Sequence, residues 1–292
     1  MNPAVEQAVV FPGAAAELLG VLHPAPTQQQ PGVLIVVGGP QYRVGSHRQF
    51  VLLARFLASQ GIAAMRFDYQ GMGDSDGEML DFEAIDGDIR AAIDLFCQRL
   101  ALPGVVIWGL CDAASAALFY AAGDPRVRGL VLLNPWVRTE AGIARVYVQH
   151  YYRTRLLRRE TWSGLLSGRI NPWRAGRSLL QQWLKSRRGD TAGADNHTSD
   201  NSSLPARMAS GLARFSGPVL LILSGDDLTA REFEDAVRAS PHWQALLGAA
   251  RVSTRRIAAA NHTFSRQAWR DQVAVWTRDW VIALDPNAPH VP

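Results

Sequence analysis

Cys111 stands in Val105-Val106-Ile107-Trp108-Gly109-Leu110-Cys111-Asp112-Ala113, a β-prone apolar run that ends in Gly-x-Cys-x-Ala and passes straight into a helix-forming segment. A nucleophile raised above a sheet on a sharp strand-to-helix turn needs this composition. Gly109 and Ala113 leave room for neighbouring backbone, and a helix beginning at Asp112 brings free N–H groups and partial positive charge to the reacting atom. Such a helix end stabilises a thiolate and an oxyanion alike. Further along, Leu221-Ile222-Leu223-Ser224-Gly225-Asp226-Asp227 sets two carboxylates at the end of an apolar strand. Ala260-Asn261-His262-Thr263-Phe264 then sets a histidine in a loop, expected to follow an apolar strand and to precede the last helix. A lone cysteine at a strand–helix junction is more often core than catalyst. An acid and a histidine following in this order reverse that weighting, because nucleophile, acid, histidine is one of the chain orders in which acyl-transfer triads occur. Cys111 is therefore expected as nucleophile, His262 as base, and Asp226 or Asp227 as the acid that orients it.

The other six histidines are poorer bases: His23 and His290 lie near the ends, His197 sits in a polar stretch, and His47, His150 and His242 fall at or near helix ends. An acyl-transfer site also needs donors for an oxyanion. The run Val33 to Val37 is followed by Gly38-Gly39-Pro40-Gln41-Tyr42-Arg43, whose backbone is expected to supply one N–H beside that of Asp112. Pro40 has no N–H, so Gln41 or Gly39 must donate, with Gln41 favoured. The carboxylate of Asp112 opposes the helix end if it turns inward and does little if it turns to solvent; the sequence leaves both open. Arg66-Phe67-Asp68-Tyr69-Gln70-Gly71-Met72-Gly73-Asp74-Ser75 reads as a tight structural loop beneath the turn.

The elements that must position these residues alternate. Gln7 to Phe11 and Glu17 to Leu22 are β-prone, and Val33 to Val37, bounded by Pro and Gly, suits a buried parallel strand. A helix over 46–59 precedes a strand over 62–67, and a helix over 82–100, with Ile85, Ile89, Ile93 and Phe96 on one stripe, precedes the strand from Val105. Cys97, beside that stripe, is expected to be a small buried hydrophobe. A helix over 112–122 and strands over 129–133 and 219–223 continue the pattern. Strands alternating with helices imply an α/β fold with a mostly parallel sheet covered on both faces. The rhythm breaks between Asn134 and Gly217, a segment holding Trp136, Trp162, Trp173 and Trp183 and a polar stretch over 189–203 expected to be mobile. Residues 1–133 and 218–292 are thus expected to form a core, with 134–217 inserted as a helical cap over the carboxyl edge of the sheet.

Charge is uneven. Residues 138–188 hold twelve Lys and Arg against two Glu, a net of +10, in a chain whose formal net charge is +4. A simple lid is the favoured reading of this Arg-rich cap, ahead of an anionic or membrane-surface partner. The beginning of the chain has no basic start before an apolar core, and no run of about 18 apolar residues occurs, so neither a signal peptide nor a membrane span is expected. Cys97 and Cys111 are expected as thiols, which suits a cytoplasmic protein. No phosphate-cradling loop, metal-ligand cluster or nucleic-acid module is recognisable, so no cofactor, no metal and no nucleic-acid partner is expected.

Four motifs resemble a known family. Gly38-Gly39-Pro40-Gln41-Tyr42-Arg43-Val44-Gly45-Ser46-His47-Arg48, Arg66-Phe67-Asp68-Tyr69-x-Gly71-Met72-Gly73-Asp74-Ser75, Gly109-Leu110-Cys111-Asp112-Ala113 and Ser224-Gly225-x-Asp227-Leu228-Thr229 are similar to the α/β-hydrolase superfamily, and within it to the bacterial exosortase A system-associated hydrolase 1 group. The resemblance implies an α/β-hydrolase fold, Asp227 rather than Asp226 as triad acid, and an association with protein sorting and exopolysaccharide production. The expected activity is an esterase- or thioesterase-like acyl hydrolase using Cys111, His262 and Asp227 on a small-molecule or acylated-carbohydrate substrate. Acyl transfer to a sugar hydroxyl and a non-catalytic binding module are the alternatives. Because a thiolate leaves more readily than an alkoxide, activated acyl groups such as thioesters, lactones or enol esters are the expected substrates.

Overall fold

The computed structural model describes residues 6–26, 30–39, 41–137 and 203–284. The chain divides into two units, Met1–Val137 with Pro205–Pro292, and Arg138–Leu204. Cys111, Asp227 and His262 all belong to the first. The greater part of the expected cap, including Trp162, Trp173, Trp183, the basic run over 138–188 and the polar stretch up to residue 202, lies outside the described residues.

The elements run β1 (Gln7–Pro12), β2 (Glu17–His23), β3 (Gly32–Val36), α1 (Gln49–Ser59), β4 (Ala64–Asp68), α2 (Asp86–Leu100), β5 (Val105–Leu110), α3 (Asp112–Tyr120), β6 (Val127–Leu133), α4 (Leu204–Arg214), β7 (Val219–Ser224), α5 (Leu228–Arg238), α6 (Pro241–Leu247), β8 (Val252–Ile257) and α7 (Gln267–Ala283). The eight strands form one sheet in the order β1-β2-β4-β3-β5-β6-β7-β8. β1 and β2, and β2 and β4, pair antiparallel; every later pairing is parallel. β3, β4, β5 and β7 are buried along their whole length, which is why β3, β5 and β7 are near-continuous apolar runs rather than alternations; β4 interleaves buried Arg66 and Asp68 with apolar residues.

Alternate residues of those runs serve opposite faces. Val33, Ile35, Val106, Trp108, Val131 and Leu133 form one core with Phe50, Leu53 and Leu57 of α1 and Val273 and Val281 of α7. Phe50 meets Trp108 edge-on, ring centroids 5.7 Å apart. α2 and α3 cover the other face, packing on β3, β5 and β6. The register aligns the carboxyl ends: Val36 pairs with Gly109, Leu110 with Leu133, and Leu133 with Ile222. In open α/β sheets this edge is where ligands bind, and Gly39, Cys111, Asn134 and Asp227 all follow strands that end there.

Several elements differ from the sequence reading. The helix expected over 46–59 opens as a 3-10 turn, Ser46–Arg48, with His47 and Arg48 at φ 54° and 59° before α1 begins. The helix over 82–100 opens likewise at Phe82–Ala84, where the Asp81 carboxylate accepts from the Glu83 amide, 2.9 Å. The strand ahead of His262 is not apolar: β8 reads Val-Ser-Thr-Arg-Arg-Ile, its four central residues exposed. It is an edge strand, and exposed arginines there discourage pairing with another chain. Cys97 is only partly covered, and burial pushes its thiol upward.

Beneath the sheet's first half, the β2–β4 pairing buries a cation against a histidine. Arg66 Nε donates to His23 Nε2, 3.0 Å, which leaves the ring proton on Nδ1. His23 is 2% exposed. Burial and the charge of Arg66 lower its pKa from 6.5 to about 4, in spite of nearby Glu6. Below pH 6.5 the unfolded chain takes up a proton that the folded chain refuses down to about pH 4, so stability falls as pH falls through that window and His23 adds no further loss below it. Replacing His23 by Gln, which still offers Arg66 an acceptor, is expected to reduce the stability lost between pH 7 and pH 4.5 by about 2–3 kcal/mol. Urea unfolding at the two pH values checks this; equal losses in wild type and His23→Gln would refute it.

Candidate active site

Cys111 is the hinge between β5 and α3. Its backbone sits at φ 66°, ψ −125°, a region non-glycine residues rarely occupy. The turn is held by its own amide, which donates to Leu133 O at 2.9 Å, and by its carbonyl, which accepts from Ala114 N at 3.1 Å and Trp136 N at 3.2 Å. Glycine at 109 is demanded by packing: a Cβ there would lie 2.7 Å from the carbonyl carbon and oxygen of Ala113. The side chain of Cys111 is partly covered, against the α1/α7 core.

Behind the turn, β7 ends at Ser224 and delivers two adjacent aspartates with different fates. Asp226 faces solvent and lies 3.6 Å from Arg231. Asp227 is nearly buried, caps α5 by accepting from the amides of Thr229 and Ala230, and lies 2.9 Å from His262 Nδ1 through Oδ2. Burial alone raises a carboxyl, but here the bond and charge of His262 and the two amides outweigh it and hold Asp227 below its ordinary value. An ionised carboxylate only accepts, so the shared proton sits on Nδ1, and in the neutral imidazole Nε2 carries the lone pair. That is the tautomer a general base needs.

One side chain that the sequence reading did not single out ties these parts together. Asn134, fully buried just past β6 with φ 43°, accepts from the Ser224 amide (2.8 Å) and donates both to Ser224 Oγ (2.9 Å) and to the carbonyl of His262 (3.0 Å). Ser224 Oγ donates onward to Asn261 O, 2.9 Å. Asn261 in turn closes its own loop, accepting from Ser265 N (3.0 Å) and donating to Ser265 Oγ (2.8 Å). The segment that fixes the Cys111 carbonyl through Trp136 N therefore also fixes the histidine loop through Asn134. The signal was a polar residue directly after a strand of buried apolar ones.

On the other side of the turn lies the loop after β3. The Gly39 amide donates to Asp112 Oδ2 at 2.8 Å, and the Ala113 amide to Asp112 Oδ1 at 2.9 Å. Asp112 thus turns inward. Burial pushes its carboxyl up, against the opposing pull of the Gly39, Ala113 and Asp112 amides. A Cβ on Gly38 would overlap Asp112 Oδ1 and the Leu110 carbonyl, so the strand end must be glycine. The Gln41 amide is turned elsewhere, donating to Gly39 O at 2.7 Å, while its side chain accepts from Ser46 N and Oγ at 3.1 and 3.2 Å. The loop is anchored by Asp68, fully buried at the end of β4. Asp68 Oδ1 accepts from the Arg43 amide (2.5 Å), and Oδ2 pairs with the Arg43 guanidinium and accepts from the Asp74 amide (3.1 Å). The Arg66–Ser75 segment thus underpins the Gly39 loop. Among the described residues no group of three or more His, Cys, Asp or Glu is placed to hold a metal ion.

A family model for the α/β-hydrolase family matches residues 33–276, and the chain belongs to that family. No curated protein sequence matches it. Among solved structures, the Pyrococcus furiosus esterase Pf2001 aligns with a TM-score of 0.63 at 13% identity, over 95% of this chain and 90% of that one. Est1E from Butyrivibrio proteoclasticus, solved with ferulic acid bound, aligns with a TM-score of 0.61 at 14% identity, over 95% and 99%. A putative hydrolase from Agrobacterium vitis gives 0.58 at 16% identity, over 96% and 100%. At these identities the likeness is one of fold.

Removing the Asn134 side chain leaves the buried Ser224 amide without its acceptor and the His262 carbonyl without its donor. Asn134→Ala is expected to cost about 2–3 kcal/mol in denaturant unfolding. If the variant unfolds like wild type, the network is not what holds the histidine loop.

Proposed function

We propose that this member of the α/β-hydrolase family is a cysteine-dependent acyl hydrolase in which Cys111 is the nucleophile, His262 the base and Asp227 the group that orients it. The observation that carries the reading is the His262–Asp227 pair, 2.9 Å apart, at the same sheet edge as a cysteine held in a strained strand-to-helix turn. The Sγ proton passes to His262 Nε2 as Sγ bonds to the acyl carbon. The carbonyl π pair moves onto oxygen, and collapse of that adduct breaks the bond to the leaving group, which takes the proton from His262. Water, deprotonated by His262, then attacks the acyl-cysteine and releases the carboxylic acid and Cys111 thiol. The donors proposed for the oxyanion are the amides of Asp112 and of the Gly39–Gln41 loop; Gly39, whose amide already points at the start of α3, is better supported than Gln41.

The substrate class follows from the sulfur. A thiolate is expelled from a tetrahedral adduct more readily than an alkoxide, so adducts on plain alkyl esters revert. Thioesters, lactones and enol esters go forward. The motif resemblance to exosortase A system-associated hydrolases supports an acylated carbohydrate or its activated precursor as the natural substrate. A chain with only two cysteines, expected as thiols, suits a cytoplasmic setting. No helix among the described residues is long and apolar enough to cross a membrane.

Wild type is expected to hydrolyse an aryl thioacetate at least roughly tenfold faster than the matching alkyl ester, with Cys111→Ser narrowing that ratio and Cys111→Ala and His262→Ala abolishing both activities. Mass spectrometry of protein quenched during turnover should find the acyl group on Cys111. Turnover by Cys111→Ala equal to wild type would dismiss the cysteine as nucleophile, and equal wild-type rates on both substrates would dismiss the preference. Product that appears only when a sugar alcohol is added would reassign the reaction to acyl transfer.

A further inference from the structure

The side chain of Asp112 is where a reacting oxygen ought to be. In the proposed reaction, on which this inference rests and which it deepens, an oxyanion forms beside Cys111 and is met by the Asp112 amide and by an amide of the loop after β3. In the structure that loop amide, with the next amide of α3, converges on a carboxylate: Gly39 N donates to Asp112 Oδ2 at 2.8 Å and Ala113 N to Asp112 Oδ1 at 2.9 Å. The amide of Asp112 itself also bears on this carboxylate. The remaining loop candidate, Gln41 N, is bonded to Gly39 O at 2.7 Å. The carboxylate is held from behind as well, because Gly38 passes so close to Oδ1 that no Cβ fits between them.

We infer that Asp112 is the residue that sets the acyl-transfer rate and selectivity of this site, because its carboxylate is a tethered occupant of the oxyanion hole that the substrate's carbonyl oxygen must displace. Three features argue for an occupant rather than a simple helix cap. A cap needs only amides of its own helix, yet Asp112 spans to Gly39 on a different element, 73 residues away in sequence. It lies one residue after the cysteine, whose strained turn fixes where the oxyanion forms. And a carboxylate and an oxyanion cannot share one set of donors, since two like charges at van der Waals distance repel strongly in a partly buried site.

The consequence is a filter. A substrate held only weakly elsewhere cannot eject a tethered anion, whereas one gripped by other parts of the site can use that binding energy to turn the Asp112 side chain out and free the Gly39 amide. Small generic esters and thioesters should therefore be poor substrates for the native protein, and truncating Asp112 should improve them. Loss of one such donor ordinarily costs about 10²–10³ in rate, so its release has room to show.

The test compares wild type, Asp112→Asn and Asp112→Ala on S-phenyl thioacetate and 4-nitrophenyl acetate, and in parallel measures alkylation of Cys111 by iodoacetamide, a displacement at saturated carbon that forms no oxyanion. Asp112→Ala is expected to raise kcat/KM by about tenfold or more. Asp112→Asn, which keeps an acceptor for Gly39 but loses the charge, should fall between. Alkylation rates should change far less than turnover. Turnover that falls or stays level in a folded Asp112→Ala, checked by its melting curve, overturns the inference, and so does a rise matched by an equal rise in alkylation, which would mean that the carboxylate acts on the thiol instead. If Asp112→Ala does not fold, the isosteric Asn variant decides by the same criteria. The reading of Cys111 as nucleophile is judged separately by Cys111→Ala, whose result does not depend on residue 112.

Discussion

A cysteine at φ 66° and ψ −125° is a conformation the chain adopts only if its surroundings leave no alternative, because such backbone costs of the order of 1–3 kcal/mol. Much of the core can be understood as that compulsion. β5 is buried along its whole length and paired on both sides, so the strand cannot shift to relieve the turn. α3 starts at once, its alanines packed close enough that position 109 admits no side chain. The amide and carbonyl of Cys111 are both bonded, to residues on or just after β6 and to α3. Relaxing the turn would break those bonds or open the sheet, and either costs more than the strain.

The same edge shows how polar groups are made safe inside an apolar fold. Asn134, Ser224 and Asn261 lie where three chain segments leave the sheet, and a buried amide or hydroxyl there would be a liability if any donor lacked an acceptor. The asparagine side chain resolves this by matching one acceptor and two donors to what β7 and the His262 loop present. An apolar residue of the same size would leave the Ser224 amide and the His262 carbonyl unanswered. The network is specific, and it fixes the His262 loop where Asp227 can hold the ring.

Much of this was legible in the sequence, for a physical reason: strands buried on both faces must be apolar throughout, and turns that raise a residue above a sheet must be small on either side. Val33 to Val37, Val105 to Leu110 and Val219 to Leu223 announced themselves in that way, as did the tight turn at Cys111 between Gly109 and Ala113. What was hidden depends on long-range partners. β8 carries Ser253 to Arg256 exposed, so no apolar pattern marks it; only its pairing with β7 makes it a strand. Whether Asp226 or Asp227 faces the histidine, whether Asp112 turns in or out, and which amide of the Gly39–Gln41 loop points at α3 are all decided by contacts across 35 to 73 residues of sequence. Local composition is the same in either case.

Those contacts also bear on why a thiol and a carboxylate stand side by side. The amino end of α3 concentrates unpaired N–H groups and a partial positive charge, and any anion nearby will be drawn to it. Two candidates compete: the sulfur of Cys111, set at the turn, and the carboxylate of Asp112, one residue on and long enough to reach Gly39 as well. Geometry awards the amides of Gly39 and Ala113 to the carboxylate. On the proposed mechanism a serine in place of the cysteine, the weaker nucleophile, would need the Gly39 amide at full strength to stabilise its adduct. On that mechanism a thiolate, with its greater intrinsic nucleophilicity, tolerates a partly occupied hole at the attack step, provided the acyl group is activated so that the adduct does not revert. On the proposed reading, the cysteine, the inward aspartate and a preference for activated acyl groups are one arrangement, in which each feature makes the other two workable.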